Sequence, residues 1–201
     1  MMIPIQDMLA LGAHERKFEA NEVIFKEGST CQYYHQLVSG RVRWVNVNEQ
    51  GKEYLQELIS PGESFGELPL FDDEPYAANS IAETNCTTIK LKKESFLKML
   101  SDKPELHFRF SKLLVQRLRY KFLILKEFAY SAPEKRVESL FNYLLENDKH
   151  IDADSHLQLT RQQIAEMTGL RVETVIRVIR SMNELHKINI QKGKVYFALN
   201  Q

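Results

Sequence analysis

The outer face of a helix predicted over residues 172–185 carries two arginines and a glutamate at regular spacing. Glu173, Arg177 and Arg180 follow one another at intervals of four and three residues, which places them on one side of the helix. In a DNA major groove, arginine can bond to O6 and N7 of guanine, and glutamate can accept from N4 of cytosine. An ordinary surface ion pair between Glu173 and Arg177 would give the same spacing.

A helix-turn-helix pattern leads into this helix. Thr160 and Gln163 have the spacing of a capping box, and Gly169 can adopt the left-handed conformation of a tight turn. Small or apolar residues stand where two crossing helices pack, namely Ile164, Ala165, Thr168, Leu170, Val175 and Val178. A generic helical hairpin would produce a similar pattern.

A basic hairpin follows the helices. Two short β segments, 187–190 and 195–198, flank the turn Gln191-Lys192-Gly193-Lys194. A helix-turn-helix followed by a β-hairpin is a winged helix, so we predict that this region binds double-stranded DNA. The expected base and phosphate contacts are Thr160, Arg161, Arg171, Val172, Glu173, Ile176, Arg177, Arg180, Lys192 and Lys194.

Residues 14–92 have the pattern of a β-rich domain. Short segments with β-branched and aromatic residues are separated by turn residues, at 14–19, 22–25, 34–38, 41–47, 53–59 and 87–91. Many short strands at close spacing predict a sandwich, barrel or roll. A short helix is expected at 93–101.

A long helix is expected between Pro104 and Tyr130, because no Gly or Pro interrupts this stretch after Pro104. Its apolar residues cover more than one face, so the helix needs a second partner besides its own domain. That partner is either the same helix of a second copy or the rest of the same chain. We expect a dimer interface that contains Phe110, Leu114, Leu118, Phe122 and Leu125. Ser131 and Glu134 then have capping-box spacing and predict a further helix to about Asn147.

The net charge of zero is the sum of unlike parts. Residues 1–102 carry a net charge of −6, residues 103–130 carry +5 and residues 131–201 carry +1. We predict three parts with the same boundaries: a β-rich domain, a dimerisation helix and a winged helix-turn-helix domain.

Composition excludes several classes of protein. No apolar run approaches the ~18 residues that span a bilayer, and residues 1–13 lack the features of a secretory signal. Two cysteines, Cys31 and Cys86, cannot form a disulfide framework, and the six histidines show no ligand spacing. No catalytic motif occurs. We expect a cytoplasmic protein that is not an enzyme and contacts no membrane.

At this point the whole chain resembles the Crp/Fnr family of bacterial transcription regulators. The front motif is Gly62-Glu63-Ser64-Phe65-Gly66-Glu67, similar to the family's Gly-Glu-x-x-Gly-Glu cassette, and the rear motif is Val172-Glu173-Thr174-Val175-Ile176-Arg177. The resemblance implies an α+β fold: an antiparallel, jelly-roll-like β-roll, a long dimerisation helix and a winged helix-turn-helix. It also implies a homodimer on a two-fold symmetric operator with TGA-like half-sites, RNA polymerase as a candidate partner, and a small-molecule effector.

Two positions depart from the family pattern. Cyclic-nucleotide-binding members hold the cyclic phosphate with an Arg-Ser or Arg-Thr pair, where this chain has Ala77-Ala78. Arg171 stands where a serine or threonine commonly caps the recognition helix; it cannot accept backbone N–H bonds, and we expect it to contact a phosphate instead.

The sensor region is therefore not expected to bind cyclic AMP. Residues 53–89 contain eight acidic residues and no Lys or Arg, so a pocket built from them would repel a phosphate. The predicted pocket comprises Gly62, Glu63, Gly66, Glu67, Leu68, Ala77 and Ala78. No cofactor is predicted and the effector stays unidentified. The alternative function is a cyclic-nucleotide, haem or redox sensor that acts through a protein partner, with Cys31, Cys86 or a histidine as the sensing residue.

Overall fold

The computed structural model describes residues 2–197. Its helices and strands, in chain order, are α1 (Ile5–Ala10), β1 (His14–Phe18), β2 (Val23–Phe25), β3 (Tyr33–Ser39), β4 (Val42–Val47), β5 (Glu53–Ile59), β6 (Ser64–Phe65), α2 (Leu68–Asp72), β7 (Asn79–Ala82), β8 (Cys86–Lys92), α3 (Lys93–Asp102), α4 (Pro104–Tyr130), α5 (Pro133–Glu146), α6 (Arg161–Thr168), α7 (Val172–Glu184), β9 (Ile188–Gln191) and β10 (Lys194–Phe197). The α+β class, the antiparallel roll, the long helix and the helix-turn-helix are confirmed. Ala198, predicted at the end of the hairpin, lies outside the described residues.

Contacts between Cα atoms divide the chain into two compact units, Met1–Leu114 and Val115–Gln201. This boundary falls inside α4, whereas the sequence predicted boundaries near both ends of that helix. The three-part division at 102/103 and 130/131 stays a prediction. No helix within residues 2–197 combines the length and the apolar character that crossing a bilayer requires.

The first unit is built from two antiparallel four-stranded sheets. Their strand orders are β1-β8-β3-β6 and β2-β7-β4-β5. The sequence did not predict β7, because Asn79-Ser80-Ile81-Ala82 contains one β-branched residue and otherwise small or polar ones. Pairing with β2 and β4 on its two sides holds this segment in the sheet. Tertiary contacts therefore override its weak local preference.

An aromatic cluster lies where β3, α3 and the start of α4 meet. The Tyr34 ring stacks on the Phe96 ring with 4.8 Å between centroids, and the Phe110 ring meets Phe96 edge-on at 5.2 Å. Phe110 has no exposed surface. Its place in the predicted dimer interface therefore needs correction, because a side chain that is fully buried in the roll cannot reach a second copy.

In the second unit, α5 packs against the end of α4. The Tyr120 and Tyr143 rings stack with centroids 4.3 Å apart. The Arg136 guanidinium donates to the carbonyl oxygens of Phe128 and Ser131, each 3.1 Å away, and so closes the turn between the helices.

The predicted capping box of α5 is wrong. Its N-cap residue is Ala132, with no side-chain cap bond, and Pro133 opens the helix. Ser131 stands one residue too early to cap, because the fixed φ angle of Pro133 already suits a first helical position.

Candidate nucleic-acid interface

The capping box predicted at the start of α6 is present. The Gln163 backbone N–H donates to Thr160 Oγ1 at 3.1 Å, and the Thr160 N–H donates to Gln163 Oε1 at 2.8 Å. The helix ends at Thr168, and the C-cap residue Gly169 has a φ angle of 67° and donates its N–H to the Ala165 carbonyl. Both ends of α6 are therefore capped, and the C-cap at Gly169 sets where the turn to α7 begins.

The inner face of α7 forms the core of this unit with α6. Four of its side chains are buried, namely Val175, Val178, Ile179 and Met182. Leu185, the last residue of the helix predicted at 172–185, instead exposes 65% of its surface. The reason is that α7 ends at Glu184, so Leu185 lies in the C-cap and no longer follows the helical spacing.

The outer face of α7 is open. Glu173, Arg177 and Arg180 are all exposed, with Ile176 exposed and Val172 half-buried beside them. Among the described residues, Glu173 and Arg177 do not form the surface ion pair that their spacing allows, since the ion pairs of this unit involve other side chains. The two charged groups are therefore available to a partner outside the chain.

Arg171 is the N-cap residue of α7, and its side chain makes no cap hydrogen bond. It is exposed, so its guanidinium is directed away from the core. The first N–H groups of α7 lack the side-chain acceptor that a serine or threonine would supply.

The basic turn between β9 and β10 is tight. Lys192 and Gly193 both have positive φ angles, 48° and 78°, as a type I′ hairpin turn requires. Arg161 at the start of α6 donates to the Gly193 carbonyl at 3.2 Å, so it positions the wing. Lys192 and Lys194 are exposed at this turn.

The segment 156–159 forms only single β-bridges. His156 pairs with Tyr196 of β10, and Ile151 pairs with Leu157. The Asp152 carboxylate organises this loop: it accepts from the backbone N–H groups of Asp154 and His156, at 3.1 and 2.9 Å.

All ten residues predicted to contact DNA belong to the second unit. Arg171 is the N-cap residue of α7, so it lies next to the outer face of that helix. The hydrogen bond from Arg161 to Gly193 links the start of α6 to the turn of the β-hairpin. Ser181 is also exposed, one turn after Arg177, and helical spacing places it beside the same outer face.

In the first unit, the cassette residues are largely structural. Glu67 is fully buried and its Oε1 accepts from the Ser64 hydroxyl at 2.7 Å. Glu63 Oε2 accepts from the Ser60 backbone N–H at 2.8 Å and closes the turn around Gly62. Leu68, also predicted to line the pocket, is partly exposed at 41%.

The space beside Gly66 is filled by aromatic rings. A Cβ atom on Gly66, whose φ angle is +70°, would lie 2.6 Å from the Phe25 ring and 3.0 Å from the Tyr76 ring. These rings stack on each other at 3.8 Å between centroids. The predicted pocket residues Ala77 and Ala78 follow Tyr76; Ala77 is exposed and Ala78 is buried.

The acidity of residues 53–89 is partly offset by cations from outside the segment. Arg43 approaches Glu83 at 3.0 Å and Glu53 at 3.5 Å, and Lys93 approaches Asp73 at 2.6 Å. Arg43 is therefore already paired with carboxylates of this segment.

The candidate redox residues are both buried. Cys31 and Cys86 are free thiols, and burial raises the pKa of Cys86. Within residues 2–197, no group of three or more His, Cys, Asp or Glu side chains is arranged to hold a metal ion.

Known protein families match the sequence of both units. The family model of the cyclic nucleotide-binding domain matches residues 15–103, and that of the Crp-like helix-turn-helix domain matches residues 138–198. The chain is 27% identical over 195 residues to the cyclic AMP receptor protein of Thermus thermophilus, covering 96% of this chain and 88% of that protein.

Solved structures of similar proteins share the fold. The c-di-GMP-responsive global regulator CLP of Xanthomonas campestris has a TM-score of 0.77 at 18% identity, with 98% of each chain covered. FixK2 of Bradyrhizobium japonicum has a TM-score of 0.78 at 19% identity, with 93% of each chain covered.

Proposed function

Because the chain belongs to the Crp/Fnr family of DNA-binding transcription regulators, we propose that it acts as a homodimer on a two-fold symmetric operator. The observation that carries the proposed recognition of DNA bases is the outer face of α7, where Glu173 and Arg177 are exposed and unpaired with each other. A solvated surface helix would gain from pairing them, whereas a base-reading helix needs both groups free.

The proposed half-site is TGA-like. Arg177 bonds bidentately to a guanine, Glu173 accepts from a cytosine amino group of the complementary strand, and Val172 or Ile176 contacts a thymine methyl group. Arg180, Arg171 and the two wing lysines bind the phosphate backbone. This division of roles follows from the position of each side chain along α7 and the wing.

The proposed dimer interface is a stripe on α4, formed by Val115, Leu118, Phe122 and Leu125. These four side chains expose between 51% and 65% of their surface. Their 3-4-3 spacing is that of the a and d positions of a heptad repeat, which matches a second copy of the same helix across a two-fold axis. Leu118, Phe122 and Leu125 were predicted for this role from the sequence. Leu114, also predicted, is half-buried.

We also propose that the cassette does not hold cyclic AMP or cyclic GMP, although the relative from Thermus thermophilus is named for cyclic AMP. Ala77 and Ala78 supply no charge or hydroxyl group for a cyclic phosphate. The Phe25 and Tyr76 rings already fill the space beside Gly66. Titration calorimetry with either nucleotide should give no signal at micromolar concentrations, and micromolar affinity would contradict this part of the proposal.

Selection from a random pool of double-stranded DNA tests the main proposal. Enrichment of an inverted repeat, with half-sites about one helical turn apart and related to TGA, is the expected result. Enrichment of sequences without two-fold symmetry would overturn the homodimeric operator. Selection of no sequence at all at low salt would overturn sequence-specific binding. RNA polymerase is the proposed protein partner, to be tested by co-purification on the selected DNA.

A further inference from the structure

A cavity of about 260 Å³ in the first unit is lined by residues of both sheets. Its wall includes Arg16, Phe25, Tyr33, His35, Tyr76 and Lys90. None of the glycines or glutamates of the cassette lines it. This volume lies slightly below the range of about 300–1,000 Å³ typical of sites for drug-sized ligands, so an occupant would be a small molecule.

Strand register explains why the polar side chains of this cavity meet. Lys90 of β8 pairs directly with His35 of β3, and Arg16 of β1 pairs with Thr88, two residues before Lys90. Residues two apart on a strand share one face of the sheet, so Arg16, Lys90 and His35 project on the same side.

The cavity carries a modest positive charge. Lys90 Nζ lies 4.2 Å from the Tyr33 ring centroid. Within the described part of the chain, it has no carboxylate at salt-bridge distance. The Arg16 guanidinium lies 4.5 Å from the Phe18 ring centroid, and its Nη2 is 3.5 Å from the Glu22 carboxylate. Since Glu22 partly offsets Arg16, the pair of cations suits one negative charge better than two.

His35 supplies an unsatisfied polar group at the cavity wall. Only 7% of its surface is exposed, and its Nδ1 atom has no hydrogen-bond partner among residues 2–197. Burial, together with the charges of Lys90 and Arg16, lowers its pKa to about 3, so the ring is neutral at ordinary pH. A buried polar atom without a partner costs free energy, which a hydrogen-bonding occupant would recover.

The remaining wall is aromatic. Phe25 and Tyr76 form a parallel stack, and the Tyr33 ring lies nearby, 6.4 Å from His35 between centroids. Flat apolar walls beside cations match a planar ring that bears one acidic group. We propose that this cavity binds a small aromatic carboxylate, with its carboxylate at Arg16 and Lys90 and its ring against the aromatic wall. A substituent on the ring meets His35 Nδ1.

Binding at this cavity does not depend on DNA recognition, so the two proposals can fail separately. The full chain, without DNA, is titrated with sodium benzoate and followed by calorimetry and by the thermal midpoint. We expect saturable binding that raises the midpoint, no such effect from the neutral amide benzamide, and tighter binding of benzoate than of phenyl phosphate.

Variants locate the site. Lys90→Met and Arg16→Met should each weaken benzoate binding at least tenfold. Lys17→Met is the matched control, because Lys17 neighbours Arg16 on β1 but projects from the opposite face, and it should bind benzoate as the unchanged chain does. Circular dichroism spectra confirm that each variant is folded.

Three outcomes would overturn the proposal. The first is no binding of benzoate at millimolar concentration. The second is equal binding by the Lys90→Met, Arg16→Met and Lys17→Met variants. The third is a preference for phenyl phosphate over benzoate, which would assign the cavity to phosphate esters.

Discussion

Leu125 and Leu185 are equally exposed, each with 65% of its surface accessible, but they differ in their surroundings. Leu125 belongs to the α4 stripe of four apolar side chains, whereas Leu185 is the C-cap residue of α7. An isolated exposed leucine needs no explanation, while a stripe at heptad spacing indicates a partner helix. Exposure of leucine therefore indicates an interface at position 125 but not at position 185.

The first prediction uses this pair. Leu125→Glu should convert the dimer to a monomer in sedimentation experiments, because it places a charge in the seam of two helices. Leu185→Glu changes the same side chain at the same exposure and should leave the oligomeric state unchanged. A dimer that survives Leu125→Glu, or dissociates equally with both changes, would contradict the proposed interface.

For the chain without substitutions, the dissociation constant of the dimer should decrease as the salt concentration rises. In a parallel pair of helices with this heptad register, Lys121 faces Lys126 of the second copy. Added salt screens that repulsion, while it weakens phosphate contacts to DNA. Opposite salt dependences of dimerisation and DNA binding are the expected result.

The second prediction concerns base recognition. Arg177→Ala should cost about 1–3 kcal/mol of binding free energy on the selected operator and relax specificity at one base pair of each half-site. Lys98→Ala, which removes one exposed charge from α3 of the roll, serves as the control. Equal loss on all sequences would instead make Arg177 a phosphate contact.

The third prediction concerns Arg171, where one change should move two measurements in opposite directions. A serine can accept an N–H bond at the start of α7, so Arg171→Ser should stabilise the second unit by roughly 1 kcal/mol. It should also lower DNA affinity for all sequences and reduce the slope of log affinity against log salt by about one. An unchanged salt slope would show that Arg171 does not contact a phosphate.

The fourth prediction concerns the aromatic packing beside the cassette. Gly66→Ala should destabilise the roll by about 1–3 kcal/mol more than Gly51→Ala in chemical denaturation. Both glycines have positive φ angles, +70° and +76°, but a Cβ atom meets the Phe25 ring only at Gly66 and open space at Gly51. Phe25→Leu should recover part of the loss in the Gly66→Ala background. Equal losses at the two glycines would mean that backbone strain alone explains the effect.

The fifth prediction follows from the lowered pKa of His35. Its pKa is about 3 in the folded chain, against an ordinary value of 6.5. Between these values, the unfolded chain binds a proton at His35 that the folded chain does not. His35 therefore does not lower the free energy of unfolding well above pH 6.5, and it lowers it increasingly as the pH falls from 6.5 toward 3. The loss from this group should be about 2 kcal/mol at pH 5. His35→Phe should flatten that part of the stability profile, whereas His186→Ala, a change at an exposed histidine, should not.

Much of the DNA-binding unit could be read from the sequence. Capping boxes, a positive-φ glycine and helical spacing are local features, and Thr160, Gly169 and the two faces of α7 occupy the predicted positions. The exceptions are also local in origin. Ser131 does not cap α5 because Pro133 sets the helix start, and Leu185 lies outside α7 because the helix ends one residue earlier than predicted.

The sequence by itself also determined the fold class and the unequal charge of its parts, since both depend on composition and short-range pattern. Tertiary structure alone decided which apolar residues of α4 the roll covers: Phe110 is buried, while Leu118 and Phe122 are exposed. Only strand register could bring Arg16 and Lys90 to the same face of one sheet, beside His35. The acidic total of the roll conceals this small cationic cavity, because charges that are distant in sequence become neighbours only when strands pair.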